Sequence, residues 1–172
     1  MVPPQPEALP CDSIERIEVR KATRTLRVVC QGGGERSWPV ALGREPVGPK
    51  RQAGDSRTPE GEYHLRSRGW DSRFHLFLII DYPSREDGAA GLRAGLISPD
   101  TYGEILEAHD REVLPPQNTA LGGIVGLHGE GARWSGDSEH LNWTNGCIAM
   151  SDAQIDFLAA HSPSGTLVTI SP

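Results

Sequence analysis

The sequence predicts a mostly β fold with two or three short helices. Its 172 residues include 20 glycines and 14 prolines, and both residue types interrupt helices, which argues against a helical bundle. Within the first 45 residues, three segments alternate apolar and polar side chains and are separated by turn residues, as in antiparallel strands. The apolar run over residues 76–80 is typical of a strand buried on both faces.

The amino-terminal half supplies most of the predicted strands. Residues 1–12 are rich in proline and are expected to form a flexible leader, followed by a single domain over residues 13–172. The predicted strands lie at about 14–19, 26–28, 38–42, 62–66 and 74–82. The stretch 43–61 is rich in glycine, proline and charge, so we expect a long loop there, of the kind that is usually functional or mobile.

Two helices have clear start signals. Ser98 is a suitable N-cap, Pro99 occupies the first helical position, and apolar residues on one face continue until Pro115 ends the pattern. A second helix is expected after Ser151, because Ser151 and Gln154 have the spacing of a capping box. A last strand is predicted over residues 167–170.

Charge and hydropathy exclude some classes of function. The net charge of −6 argues against nucleic-acid binding, which depends on basic residues that neutralise phosphates. Residues 74–172 hold 13 of the 23 acidic side chains, 4 of the 17 basic ones and five of the six histidines. No apolar run approaches the roughly 20 residues that span a bilayer. The first residues do not resemble a signal sequence, so we expect a cytosolic protein or a mature form with an added methionine.

One histidine and one cysteine indicate nucleophilic catalysis. An apolar segment ends at His128, and Cys147 follows 19 positions later, directly behind Gly146. A thiol needs a base to become a nucleophilic thiolate, and a histidine within hydrogen-bond reach can supply it. A glycine before the nucleophile lets nearby backbone amides point at a developing oxyanion.

The residues around this pair resemble the L,D-transpeptidase catalytic domain (YkuD-like) family. His128 and Gly129 are followed after 15 residues by the segment 144–148, TNGCI, which is similar to the family signature. The segments 57–63 and 40–43 resemble two further stretches of that family in the same order. The resemblance runs from about residue 14 to residue 150.

Two departures from the family pattern point to a divergent subgroup. The family usually has histidine before the Gly-Cys pair and often arginine two residues after the cysteine, whereas this chain has Asn145 and Ala149. The segments 143–149, 74–76 and 81–83 look like the periplasmic YafK-type proteins, some of which are hydrolases that detach peptidoglycan-linked protein.

The resemblance implies a β-sandwich and a thioester mechanism on peptidoglycan stem peptides. Cys147 would attack the carbonyl at the L-centre of a diamino acid, and His128 would act as its base, oriented by the carbonyl of Gly129. The amides of Gly146 and Cys147 would form the oxyanion hole. Residues expected to contact the substrate or wall the groove are Trp134, Trp143, Thr144, Asn145, His75 and Arg57.

The resemblance implies no cofactor and no metal, and the expected partners are peptidoglycan stem peptides. An amine acceptor would give 3-3 cross-links or other attachments, whereas water would give stem-peptide trimming. The expected protein is a monomer of the periplasm or cell envelope, involved in cell-wall biogenesis and cell shape and a target of carbapenems. A non-catalytic wall-binding module and a zinc site at Cys147, His128 and His140 remain alternatives.

The other two cysteines bracket the first predicted hairpin. Cys11 and Cys30 could form a disulfide in an oxidising compartment, but their positions are not clearly opposite each other in the predicted hairpin. With three cysteines in the chain, at least one thiol is free unless it pairs between chains.

Overall fold

The computed structural model describes residues 10–71, 73–130 and 142–172 and confirms the mostly β fold. Within these ranges the chain forms eight strands and three helices. The strands are β1 (Ile14–Arg20), β2 (Thr25–Cys30), β3 (Glu35–Pro39), β4 (Gly61–Asp71), β5 (His75–Ile80), β6 (Gly126–His128), β7 (Ile148–Ala149) and β8 (Leu167–Ser171). The helices are α1 (Arg85–Arg93), α2 (Pro99–Asp110) and α3 (Asp152–His161).

All eight strands belong to one sheet, in the order β3-β2-β1-β8-β4-β5-β6-β7. The β1–β8 and β6–β7 pairs are parallel, and the other neighbours are antiparallel. The sheet curls until its two ends meet. Ala41, just after β3, exchanges both backbone hydrogen bonds with Ala149 of β7, at 2.9 and 3.0 Å. The far edge of the sheet is thereby joined to the strand that follows Cys147.

The curled sheet encloses one hydrophobic core. Side chains from the β1–β2 half, such as Ile17 and Leu26, pack in the same cluster as Leu78 and Leu127 from the β5–β6 half. These four side chains are at most 2% exposed. Burying a leucine or isoleucine stabilises the fold by about 1.5–3 kcal/mol, so this core fixes the strands that carry the site.

Helices α1 and α2 pack against each other beside the sheet and form a smaller cluster with Leu121. Ser84 caps α1 in a reciprocal capping box with Asp87. Gly91 is required where α1 meets Leu121, because a Cβ there would lie 3.0 Å or less from both leucine methyl carbons. The sequence patterns named only α2 and α3, so α1 is an addition to that prediction.

Three predicted boundaries differ from the structure. The strand predicted at 38–42 is β3, Glu35–Pro39, and beyond it Ala41 forms only an isolated bridge. Strand β4 continues to Asp71, beyond the predicted 62–66, and it pairs along its length with β8 and β5. The apolar segment before His128 is a strand only over Gly126–His128. Residues 122–125 leave the ladder because Gly122 and Ile124 adopt positive φ angles.

A disulfide joins Cys11 to Cys30, which settles the pairing that the sequence left open. Both cysteines are buried. Cys11 falls within the predicted leader and ties this part of the chain to the end of β2, while residues 1–9 lie outside the described part. Within the described residues, no helix is long and apolar enough to cross a membrane.

Candidate active site

The β6–β7 pair brings His128 and Cys147 to the same cleft. His128 is the last residue of β6, and Cys147 immediately precedes β7, with Leu127 opposite Ile148 in a parallel register. Both side chains line one cavity of about 500 Å³. The fold thus places the thiol of Cys147 and the imidazole of His128 in the lining of the same cavity.

The segment before the cysteine is folded by Thr144. Its hydroxyl donates to the carbonyl of Cys147 at 2.7 Å and accepts the N–H of Gly146 at 3.1 Å. Gly146 has φ +137°, and a Cβ there would lie 2.6 Å from the carbonyl oxygen of Arg57, so only glycine fits. Because the Gly146 N–H is already engaged by Thr144, the oxyanion role expected for this amide is not supported. The amide of Cys147 is left as the candidate.

The long loop 43–60 packs against the segment that precedes Cys147. Thr58 is fully buried, and its hydroxyl accepts the N–H of Gly43 at 3.0 Å. A Cβ on Gly43 would lie 3.2 Å from the Cα of Gly146, which shows how closely the two backbones approach. Thr144 also donates its N–H to the carbonyl of Leu42 at 3.1 Å. These hydrogen bonds and the close backbone contact therefore fix the position of the segment that precedes Cys147.

The imidazole of His128 is oriented by its own neighbour in sequence. Nδ1 lies 2.6 Å from the carbonyl oxygen of Gly129. A carbonyl only accepts, so Nδ1 carries the proton and Nε2 of the neutral ring is the basic nitrogen. Gly129 has no room for a side chain, since a Cβ would lie 2.9 Å from the carbonyl oxygen of Phe74. This is the orientation that the resemblance implied.

Three aromatic rings surround the imidazole, which is 2% exposed. The ring centroids of Phe74, Phe77 and Trp143 lie 4.4, 5.3 and 5.8 Å from that of His128. Phe77 lies directly opposite His128 in the β5–β6 ladder. Trp143 donates its indole N–H to buried Glu130 at 3.2 Å, so the wall of the cleft is itself fixed. This packing limits rotation of the histidine ring.

Cys147 is a protonated thiol at rest. Partial burial raises its pKa to about 11, although the N–H of Gly126 and the positive charge of Lys50 act in the opposite direction. The thiol donates to the carbonyl of Ile124, with Sγ 3.6 Å from the oxygen. A base must therefore remove the proton before or during attack.

Ile124 holds that carbonyl in a strained conformation. Its φ is +52°, an uncommon value for a β-branched residue and one typical of functional sites. The side chain is 63% exposed, so packing is not the reason for the strain. Instead, the Ile124 N–H donates to Oε1 of Gln117 at 2.7 Å, and Gln117 is anchored by donation to the carbonyl of Tyr82 at 2.8 Å.

A second cavity, of about 630 Å³, meets the first at Cys147. The side chains that border both cavities are those of Arg44, Ile124, Asn145 and Cys147. The first cavity is walled by the aromatic rings beside His128. The second lies over the loop 43–60 and residues 117–125, and its lining includes the side chains of Lys50, Gln117 and Asn118. The cysteine is thus accessible from two sides.

Of the residues predicted to contact the substrate, some line the cleft and others do not. Trp143, Thr144 and Asn145 line the cleft. The side chain of Arg57 points towards Gly48, and Arg57 contributes to the site through its carbonyl against Gly146. The prediction of a substrate contact by His75 is not supported: its Nε2 lies 2.7 Å from Oδ1 of Asp156 in α3, and it lines neither cavity. Trp134 and His140 lie outside the described residues.

Sequence reasoning missed Arg44, Ile124, Glu130 and Phe77. Glu130 stands two residues after His128, and a carboxylate so close to a candidate base was a usable signal. Phe77 had been placed only in a buried strand. Arg44 and Ile124 have no local signal, because they reach the cysteine through tertiary contacts. Among the described residues, no group of three potential metal ligands occurs.

The curled sheet with a cysteine and a histidine in one cleft is an arrangement that the comparisons with known proteins assign to a family. Over residues 14–170 the chain matches the model of the L,D-transpeptidase catalytic domain, YkuD, and it belongs to that family, which acts on peptidoglycan. No protein with a curated description matches the sequence.

Several solved structures share the fold. Bd1075 from Bdellovibrio bacteriovorus is 22% identical, with a TM-score of 0.55 over 92% of this chain and 48% of that one. Pgp2, the helical cell shape determining protein of Campylobacter jejuni, is 19% identical, with a TM-score of 0.58 over 96% of this chain and 51% of that one. L,D-transpeptidase 3 from Mycobacterium tuberculosis, in complex with a faropenem-derived adduct, is 14% identical, with a TM-score of 0.52 over 93% and 60%. The chain thus spans about half to three fifths of the length of these proteins.

Proposed function

We propose that this protein is a cysteine-dependent L,D-transpeptidase that acts on peptidoglycan stem peptides. The observation that carries the proposal is the arrangement in the first cavity. The Cys147 thiol lies there with an imidazole whose Nδ1 is fixed by Gly129, at 2.6 Å, leaving Nε2 as a base. Membership in the L,D-transpeptidase catalytic domain family supplies the substrate class.

In the first half-reaction the thiol of Cys147 breaks its hydrogen bond to the carbonyl of Ile124, and its proton passes to Nε2 of His128. The sulfur then attacks the carbonyl carbon at the L-centre of the diamino acid, forming a C–S bond. The amide N–H of Cys147 stabilises the oxyanion. The C–N bond to the following D-residue breaks, and His128 returns the proton to the departing amine, leaving a thioester.

In the second half-reaction an acceptor attacks the thioester. His128 takes a proton from the acceptor amine and returns it to the sulfur as the C–S bond breaks. The two cavities that meet at Cys147 support a reaction with two peptide substrates, because a donor and an acceptor can approach from different sides. The product is then a 3-3 cross-link or another amide.

Hydrolysis on the same scaffold is the second candidate. Ala149, where the family often has arginine, is fully buried and paired with Ala41, so it offers no charge to a substrate. Incubation with purified stem tetrapeptides separates the two functions. Cross-linked dimers support the transpeptidase, whereas trimmed monomers alone support the hydrolase.

We further propose that the protein acts as a monomer in the cell envelope. The Cys11–Cys30 disulfide is consistent with an oxidising compartment such as the periplasm. Sedimentation at micromolar concentration tests the monomer, and fractionation of the native host tests the location.

The nucleophile is tested by mass spectrometry after exposure to meropenem. A structural relative carries a faropenem-derived adduct, so a β-lactam is a suitable probe of this cleft. We expect one adduct on the native protein, mapped to Cys147 and absent from Cys147→Ala. An unmodified native protein, or an adduct on any other residue, would contradict the assignment.

A further inference from the structure

Arg44 lies at the junction of the two cavities and has no acidic partner among the described residues. Its guanidinium is exposed, borders both cavities and donates through Nη1 to Oδ1 of Asn145 at 2.8 Å. No carboxylate in the described part of the chain lies within ion-pairing distance of it.

The other cations that border the cleft are already engaged. Arg73 pairs with Asp71 at 2.9 Å, and Lys50 pairs with Asp55 at 2.9 Å. Arg68 donates to the carbonyls of Ala159 and Ser162 at the end of α3, at 3.0 and 3.3 Å. Arg68 shares with Arg44 the lack of a carboxylate partner among the described residues, but of the two only Arg44 borders both cavities that meet at Cys147.

The backbone fixes Arg44 beside residues 144–147, the nucleophile segment that ends at Cys147. Its N–H donates to the carbonyl of Thr144 at 3.0 Å, and Gly43 forms a parallel bridge with Thr144. Arg44 and Cys147 are thus both held by Thr144, whose hydroxyl bonds the Cys147 carbonyl. The backbone of Arg44 is therefore fixed relative to the backbone of Cys147.

We propose that Arg44 and Asn145 bind the free carboxylate of the residue that leaves, the carboxyl-terminal residue of a peptide substrate. A guanidinium has five N–H donors in a planar fork, and one contact to Asn145 leaves enough of them for a bidentate carboxylate. Since Oδ1 of Asn145 accepts from Arg44, its amide NH₂ is directed elsewhere and can donate to the same carboxylate. A terminal carboxylate lies one residue from the scissile carbonyl, which matches a subsite bordering the cysteine.

This inference rests on the proposed function and narrows it. It assigns Arg44 and Asn145 to the recognition of the leaving residue and predicts that amidation of that residue's carboxylate slows the reaction. It also gives this divergent chain a cation in the cleft, where the family's arginine after the cysteine is replaced by Ala149.

The test compares a stem tetrapeptide ending in a free carboxylate with the same peptide ending in a carboxamide. We expect the native protein to have a kcat/KM roughly 10- to 100-fold higher for the acid, the range of a charge-assisted hydrogen bond. Arg44→Gln should abolish this ratio by lowering kcat/KM for the acid, and Arg44→Lys should restore part of it. Arg24→Gln is the matched control, because Arg24 also donates to an asparagine, Asn142, at 2.8 Å but borders a different cavity.

The outcomes separate the inference from the proposed function. Equal cleavage of acid and amide by the native protein, or an equal loss on both in Arg44→Gln, overturns the carboxylate subsite and leaves the function standing. If the native protein releases neither carboxyl-terminal residue, the proposed function fails and the inference fails with it.

Discussion

At the residue scale, desolvation of the Cys147 thiol in the cleft raises its pKa and so limits its reactivity. The raised pKa, about 11, means that less than one thiol in a thousand is ionised at neutral pH. The hydrogen bond to the carbonyl of Ile124 further favours the protonated form. Under the proposed function, the protein is expected to generate its thiolate only as His128 takes the proton, which protects the thiol from adventitious oxidation.

The pH dependence of alkylation tests this resting state. Below its pKa, the thiolate fraction rises about tenfold per pH unit. The rate of iodoacetamide labelling of Cys147 should therefore rise steadily from pH 7 to about pH 10, measured by mass spectrometry. Cys147→Ser supplies the background. A plateau below pH 8 would show instead that the cysteine and His128 rest as an ion pair.

The strain at Ile124 also makes a residue-scale prediction. Glycine accommodates φ +52° without penalty, and the exposed isoleucine side chain contributes little packing. Ile124→Gly is expected to raise the free energy of unfolding by about 1 kcal/mol in urea titrations, after the entropy cost of glycine. Ile124→Val is the matched control and should give no gain, because it keeps the β-branch. A destabilised glycine variant would show that the isoleucine side chain packs more than its exposure indicates.

At the element scale, the loop 43–60 acts as a platform for the nucleophile segment. Thr58 lies beneath it, and the Gly43 N–H that it accepts is buried. Residues 57–63 were recognised in the sequence by their resemblance to a family segment, but the reason for the threonine is visible only in the fold. Its hydroxyl holds Gly43 against Gly146.

Thr58→Val tests this platform. The substitution keeps the side-chain shape but leaves the Gly43 N–H without its acceptor, at a cost of about 1–3 kcal/mol in the free energy of unfolding. Meropenem acylation of Cys147 should slow as well, because Gly146 rests on Gly43. Thr169→Val, on the outer side of β8, is the control and is expected to stay within about 0.5 kcal/mol. If Thr58→Val and Thr169→Val were equally stable, the Thr58 hydroxyl would have no role in supporting the nucleophile segment.

The sequence anticipated the elements with local signals and missed those defined by packing. The caps at Ser98 and Ser151 predicted α2 and α3 correctly. Helix α1 has an equally good capping box at Ser84, but Gly88 and Gly91 lower its helical propensity, and both are needed where the helix packs against its neighbours.

The candidate site divides in the same way. Cys147 and His128 lie on short motifs with a fixed spacing and were found from sequence. The Arg44–Asn145 contact joins residues 101 positions apart, and no single-sequence pattern encodes that approach. The engagement of the Gly146 amide by Thr144 likewise depends on side-chain geometry that spacing does not show.

At the scale of the whole molecule, two connections hold the curled sheet: a backbone bridge beside the site and a disulfide. The Ala41–Ala149 bridge joins the two edges next to Cys147, while the Cys11–Cys30 disulfide fixes the start of the chain to β2. The strands between them share one core. Global stability and the geometry of the cleft are therefore coupled through the sheet.

Reduction of the disulfide tests the stabilising role of that tie. The crosslink spans 19 residues, for which loop-closure entropy gives about 3 kcal/mol. Reduced protein in the Cys147→Ala background, which leaves only this pair of cysteines, should unfold at clearly lower urea than oxidised protein. Coincident unfolding curves would mean that buried contacts alone hold residues 10–13 in place.

The most direct test of the central claim follows a stem tetrapeptide with native protein and with Cys147→Ala. We predict that native protein releases the carboxyl-terminal D-residue, passes through a protein–tripeptide thioester detectable by intact mass, and yields dimers or trimmed tripeptides. Cys147→Ala should show neither release nor thioester while unfolding at a similar urea concentration. Release of the D-residue by Cys147→Ala, or a folded native protein that neither acylates nor cleaves the peptide, would contradict it.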